Sequence, residues 1–121
     1  MIAAGSAFLM QDKSGKMHLW TVLQVRVVEK EKMCAIVNIS SQKCSSGKCQ
    51  GMIESQTHPF LSKTSYVRCD HSRSIPLKKL ESLLKIGKIR LKDDFKSTTL
   101  EKILKVVSSC SRTPKEVKDF F

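Results

Sequence analysis

Two of the three histidines, His18 and His58, fall near the ends of segments that read as strands. An unperturbed imidazole changes charge at about pH 6.5, so two of them can supply both the base and the acid of a proton-transfer reaction. Ser40 and Ser65 can donate hydrogen bonds beside them, and Lys63 and Arg68 can stabilise a phosphate. Such a set meets the needs of RNA cleavage without a metal. One group takes the proton of the ribose 2′-hydroxyl, another protonates the leaving 5′-oxygen, and cations surround the phosphate. The catalytic candidates are therefore His18, Ser40, His58, Lys63 and Ser65. His58 reads equally as a turn residue that hydrogen-bonds a backbone carbonyl before Pro59, and His71, which follows a polar strand end, reads as a surface residue.

Binding candidates extend this set. Trp20 and Tyr66 offer flat faces to single-stranded bases, every one of which has a face to stack; core packing is the competing use of both. Lys78, Lys79, Lys88 and Arg90, joined by Arg68, would track phosphates if they form one stripe, and are solvated faces otherwise. Lysine and arginine outnumber aspartate and glutamate 22 to 11, a formal charge of +11. Self-repulsion at that charge opposes folding, so an anionic partner is expected, with single-stranded RNA first. No basic amphipathic helix with aromatic anchors and no lipidation signal points to a membrane.

The elements that must position these residues can be read from periodicity. Residues 5–10 form a short strand closed by the turn at Asp12, Ser14 and Gly15. From Met17 to Val28 the sequence alternates, with Leu19, Thr21, Leu23, Val25 and Val27 on the core face and His18, Trp20, Val22, Gln24 and Arg26 opposite. After a charged turn at 29–32, a third strand runs from Met33 to Ser40. Antiparallel pairing then puts His18 and Ser40 at the same end. Residues 41–48 read as a loop, and 50–53 and 63–69 as a second strand cluster interrupted by Pro59. Pro76 opens a helix with the stripe Leu77, Leu80 and Leu84, ending at Gly87. A brief strand at 88–91 precedes a capping box, Thr98-Thr99-Leu100-Glu101, and a helix whose Leu100, Ile103, Leu104 and Val107 share one stripe. Thr113-Pro114 starts a last turn of helix. Strands first and helices last, without βαβ alternation, predict an α+β, mainly β domain over residues 1–121: a small bent antiparallel sheet or barrel, one short inserted helix, and a C-terminal helix packed on it.

At 121 residues such a domain buries roughly two-thirds of its unfolded surface. The five cysteines, Cys34, Cys44, Cys49, Cys69 and Cys110, are odd in number and scattered, which argues for a reducing cytoplasm rather than a disulfide framework. Cys44, Cys49, Cys69 and His71 are zinc-ligand types, but their spacing is loose, so no metal is expected. No nucleotide-binding glycine fingerprint is present and no cofactor is expected.

In order and spacing the chain resembles the MazF/PemK/Kid/CcdB-like toxins of toxin–antitoxin pairs. The resemblance rests on Gly5 with its apolar strand, His18-Leu19-Trp20-Thr21-Val22-Leu23-Gln24, Val37-Asn38-Ile39-Ser40, Ser65-Tyr66-Val67, Ser74-Ile75-Pro76-Leu77 and Lys85-Ile86-Gly87-Lys88-Ile89. It implies an SH3-like barrel with a C-terminal helix, a homodimer, an acidic antitoxin as partner, and metal-independent endoribonuclease activity. The RNA-cleaving members open the second strand with arginine and proline, where this chain has His18 and Leu19; they close the third with threonine or serine, here Ser40. The alternative is a non-catalytic module of the same fold that binds nucleic acid or an acidic protein, and a third reading, on the CcdB-like side, is a toxin that binds a protein target.

Overall fold

The computed structural model describes residues 2–12, 14–41, 51–53 and 58–121. Six strands form one sheet: β1 (Ala7–Gln11), β2 (Met17–Val28), β3 (Glu31–Ser40), β4 (Met52–Ile53), β5 (Ser65–Pro76) and β6 (Arg90–Lys92). Three helices accompany them, α1 (Leu77–Lys85), α2 (Ser97–Ser109) and α3 (Lys115–Lys118). The fold is α+β and mainly β. The strand order is β4-β5-β3-β2-β1-β6, and every pairing is antiparallel. β4 and β6 are the two edges, so among the described residues the sheet is not closed into the expected barrel. None of the described helices is long and apolar enough to cross a membrane.

Both faces of the sheet are packed. On one, Leu9, Leu19, Val37, Ile39 and Val67 meet Ile103 and Val107 of α2 and Val117 of α3. On the other, Phe8, Trp20, Val22 and Ile36 meet Leu80 of α1 and Ile89. The single core face expected for β2 is therefore corrected, because a helix covers part of each side. Its alternation also breaks: Val22 pairs with Ile36, but Gln24 pairs with Ala35. The extra residue, Leu23, stays with the α2 side while Val25 moves to the α1 side.

A larger bulge lies in β5, which runs seven residues beyond its expected end at Cys69. Asn38 pairs with Arg68 and Ile36 with Arg73, so four residues of β5 stand opposite Val37 alone. The Ser72 hydroxyl closes this bulge on the Cys69 carbonyl at 2.6 Å. The turn between β2 and β3 is shorter than expected, with Glu29 and Lys30 both at positive φ, 50° and 70°, as a two-residue hairpin requires.

The capping box predicted at Thr98 does not form. α2 starts at Ser97 with Lys96 in the cap position and no side-chain cap, and Thr99 lies buried within the helix. Gly51 passes so close to α2 that a Cβ there would sit 2.6 Å from Val106 Cγ1. A disulfide joins Cys69 in the β5 bulge to Cys110 at the end of α2, although the sequence pointed to unpaired cysteines. The two lie 41 positions apart in sequence, and only the packing of α2 on β5 makes them neighbours. Cys34 is a buried free thiol, pushed up to about 11 by burial and by Glu81.

Candidate functional site

The hairpin between β1 and β2 builds the most organised polar group in the molecule. Asp12 Oδ1 accepts from Ser14 N at 2.9 Å, Ser14 Oγ at 2.6 Å and Lys16 N at 3.0 Å. Its other oxygen, Oδ2, accepts from His18 Nε2 at 2.8 Å. The Ser14 hydroxyl and then His18 hold this carboxyl well below the usual carboxylate range. A depressed carboxylate keeps its favourable pairing as the pH falls to its ordinary value of 3.8 and loses it only at lower pH. Asp12 is thus a fixed anion that orients His18. Among the described residues nothing bonds to His18 Nδ1.

His18 lines an open hollow of about 440 Å³ with Lys16, Ser40, Phe60, Lys63 and Ser65. Pairing of Leu19 with Ile39 sets His18 beside Ser40 at the same end of β2 and β3. Ser65 Oγ donates to the Lys63 carbonyl at 3.1 Å, which ties the start of β5 to the residue that carries the ammonium. Four of the five catalytic candidates therefore share one hollow: His18, Ser40, Lys63 and Ser65.

His58 does not line it. Its side chain is 2% exposed, and both ring nitrogens are engaged. Nε2–H donates to the Asp93 carbonyl, and Nδ1 accepts from Phe60 N at 3.1 Å. The ring packs on Phe95 with centroids 4.8 Å apart. This imidazole pins the Pro59–Phe60 turn, and neither nitrogen is left to reach a substrate. We expect His58→Ala to lower the unfolding free energy by about 3 kcal/mol, because it leaves a buried N–H and a carbonyl unpaired beside a cavity. Urea denaturation measures this; a change under 1 kcal/mol would contradict the role.

The binding candidates divide. Trp20 and Arg68 lie on one face of the sheet near His18, but Trp20 is only 5% exposed, with the Arg73 guanidinium 5.3 Å above its ring. Tyr66 is half-buried on β5 opposite Ser40. Arg68 is engaged, donating to both oxygens of Asp70 at 3.0 and 2.9 Å and to His71 Nε2 at 3.1 Å. Accepting that bond requires a neutral His71, and burial, outweighing nearby Asp70, lowers its pKa. Lys78, Lys79, Lys88 and Arg90 line neither this hollow nor the one beside Trp20. α1 starts where β5 pairs with Met33, at the opposite end of β3 from Ser40, and Arg90 pairs with Leu9 at the sheet edge. No strand pairing or shared hollow links these four to Arg68.

Sequence reasoning missed Asp12, Lys16, Asn38 and Arg73. Asp12 reads as a turn former, and its hold on His18 depends on hairpin register, Met10 opposite His18. Beside this pair a second hollow of about 460 Å³ is lined by Asp12, Trp20, Asn38, His71 and Arg73. Trp20 Nε1 and Asn38 Oδ1 are themselves fully buried and have no hydrogen-bond partner among the described residues. Each such atom costs about 1–3 kcal/mol. Among the described residues no cluster of three or more His, Cys, Asp or Glu is placed to hold a metal ion. Of the zinc-ligand types, Cys69 is in the disulfide, and Cys44 and Cys49 lie outside the described residues.

No protein-family model matches the chain, and no curated protein matches its sequence.

Proposed function

We propose that this chain is a divergent MazF/PemK-like toxin-type protein that binds single-stranded RNA and cleaves it without a metal. One observation carries the reading: an imidazole oriented by a buttressed carboxylate stands in a hollow lined by four serines and two lysines. In this reading His18 Nδ1 takes the proton of the 2′-hydroxyl, because Asp12 holds the other nitrogen as a donor. The 2′-oxygen bonds to phosphorus and the bond to the 5′-oxygen breaks. That oxygen leaves with a proton from Lys63, giving a cyclic phosphate and a 5′-hydroxyl. Lys16 and the Ser40 hydroxyl offset the charge gathering on the phosphate. No cofactor enters these steps.

The SH3-like reading of the fold belongs to the same proposal, supported by the two bulges that bend the sheet and by a helix between β5 and β6. So do a homodimer, an acidic antitoxin drawn to the net +11 charge, and a cytoplasmic site of action. A non-catalytic binding module is favoured by one fact: His18 is the one imidazole lining the hollow among the described residues. Incubation of the protein with single-stranded RNA in chelator decides between them. We expect fragments ending in cyclic phosphate; salt-sensitive retention in a shift assay without product would establish the binding module instead.

A further inference from the structure

The cleavage scheme uses the imidazole, hydroxyl and ammonium groups of the first hollow and leaves its apolar lining without a role. Seven large apolar side chains are exposed among the described residues, and two of them, Met17 at 48% and Phe60 at 44%, line this hollow. A single exposed apolar residue is ordinary on any surface. Two of them in a hollow that also holds Lys16, Lys63 and His18 make a mixed site, with carbon surface beside cations. Phe60 belongs to neither packed core, so folding does not account for an aromatic ring there.

The turn that carries Phe60 is fixed from inside. His58 and Leu61 are buried at its two ends, while Pro59 and Phe60 between them are exposed. Phe60 N donates to His58 Nδ1 at 3.1 Å, and Leu61 N donates to the His58 carbonyl at 2.9 Å. The other nitrogen of the same imidazole is committed to the Asp93 carbonyl, and its ring packs on Phe95. A buried histidine thus holds the backbone of an exposed aromatic residue in place at the hollow. A ring carried on so fixed a turn loses little freedom when a flat ligand settles on it. We propose that Phe60 is the base-stacking platform of this hollow, carrying the base of a nucleotide next to the reacting phosphate while Lys16 and Lys63 hold the phosphate. The inference rests on the RNA reading of the same hollow, and it gives to Phe60 the stacking expected of Trp20, which is only 5% exposed.

The occupant of such a site must offer a flat apolar face and an anion a short distance apart. A nucleotide has both in one unit, and stacking on an aromatic ring accepts any base. A free phosphate leaves Phe60 and Met17 unused, and an acyl chain leaves the lysines unused. An acidic peptide with an apolar residue would meet the same groups, but the oriented imidazole among them is of no use to a docking surface.

The test uses a single-stranded oligonucleotide with fluorine in place of every 2′-hydroxyl, which lacks the attacking group, and an abasic strand of the same length. The parent protein should bind the base-bearing strand more tightly than the abasic one. Phe60→Ala should weaken binding of the base-bearing strand about tenfold, the scale of one base–aromatic stack, and leave the abasic strand bound as before. Phe60→Trp, which keeps a ring, should stay within about twofold of the parent. Both variants should melt within about 3 °C of the parent, since the residue lies outside both cores. Unchanged binding of the base-bearing strand in Phe60→Ala, or an equal loss for both strands, would overturn the platform. If that variant keeps both affinities but changes its oligomeric state in sedimentation, the ring belongs to a protein interface instead. When the parent retains the strands and Phe60→Ala does so equally, the platform alone falls; if folded parent retains neither strand, the underlying RNA reading falls with it.

Discussion

Changing His18 to alanine is expected to reduce chelator-resistant RNA cleavage on the order of 10³-fold while RNA binding changes less than about threefold. The size follows from the role: a positioned base contributes roughly 10²–10⁴ to proton transfer, and no second imidazole lines the hollow to replace it. Binding is spared because Lys16, Lys63 and the overall charge remain. The fold should be spared as well. Asp12 keeps three donors from Ser14 and Lys16 when His18 is lost, so the hairpin stays closed. An exposed or half-exposed ion pair adds at most about 1 kcal/mol. Asp12→Asn separates orientation from chemistry. An amide in that place can offer N–H instead of accepting, which favours the wrong tautomer of His18, and cleavage should fall by at least tenfold with the imidazole still present. Full activity in His18→Ala would remove it as the base, and a uniform loss of binding and cleavage would point to lost structure instead.

How much of this could be read beforehand depends on whether the signal was local. The strand from Met17 to Val28 was legible from its alternation, and the register that sets His18 by Ser40 follows from a short hairpin. The bulge at Leu23 was not legible, since no glycine or proline marks it, and it sends Val25 to the side opposite the one its parity predicts. β5 was cut short at Cys69 because Asp70-His71-Ser72-Arg73 has no apolar alternation. The bulge is Cys69 to Ser72, and the ladder resumes at Arg73. The start of α2 was misplaced for another reason. Ser97, Thr98 and Thr99 are all capable caps, yet the helix takes in all three, with Thr99 buried and Lys96 in the cap position. The turn role of His58, bonded to a backbone carbonyl before Pro59, was legible; which carbonyl it takes was not, since Asp93 lies 35 positions away. Asn38 and Arg73 carried no local signal: Asn38 is set opposite Trp20 by the β2–β3 register, and Arg73 reaches over the Trp20 ring from β5.

The same distance in sequence hides the strongest constraint on stability. Closing 41 residues between Cys69 and Cys110 removes chain entropy from the unfolded state worth about 4 kcal/mol at room temperature. Cys110→Ser is therefore expected to lower the melting temperature by about 10–20 °C, because a chain of this length loses a few degrees per kcal/mol. Reductant should shift the parent protein by the same amount and leave the variant unmoved, which separates loss of the bond from loss of side-chain packing. If reductant leaves the parent's melting temperature unchanged, the thiols are unpaired and the constraint does not exist. The effect should also reach the second hollow. Cys69 sits between Arg68 and Asp70, whose paired side chains hold His71, and its carbonyl takes the Ser72 hydroxyl that closes the bulge. Freed from α2, that bulge has fewer restraints on Arg73 over the Trp20 ring, while cleavage at His18, held by the far hairpin through Asp12, should persist in Cys110→Ser well below its melting temperature.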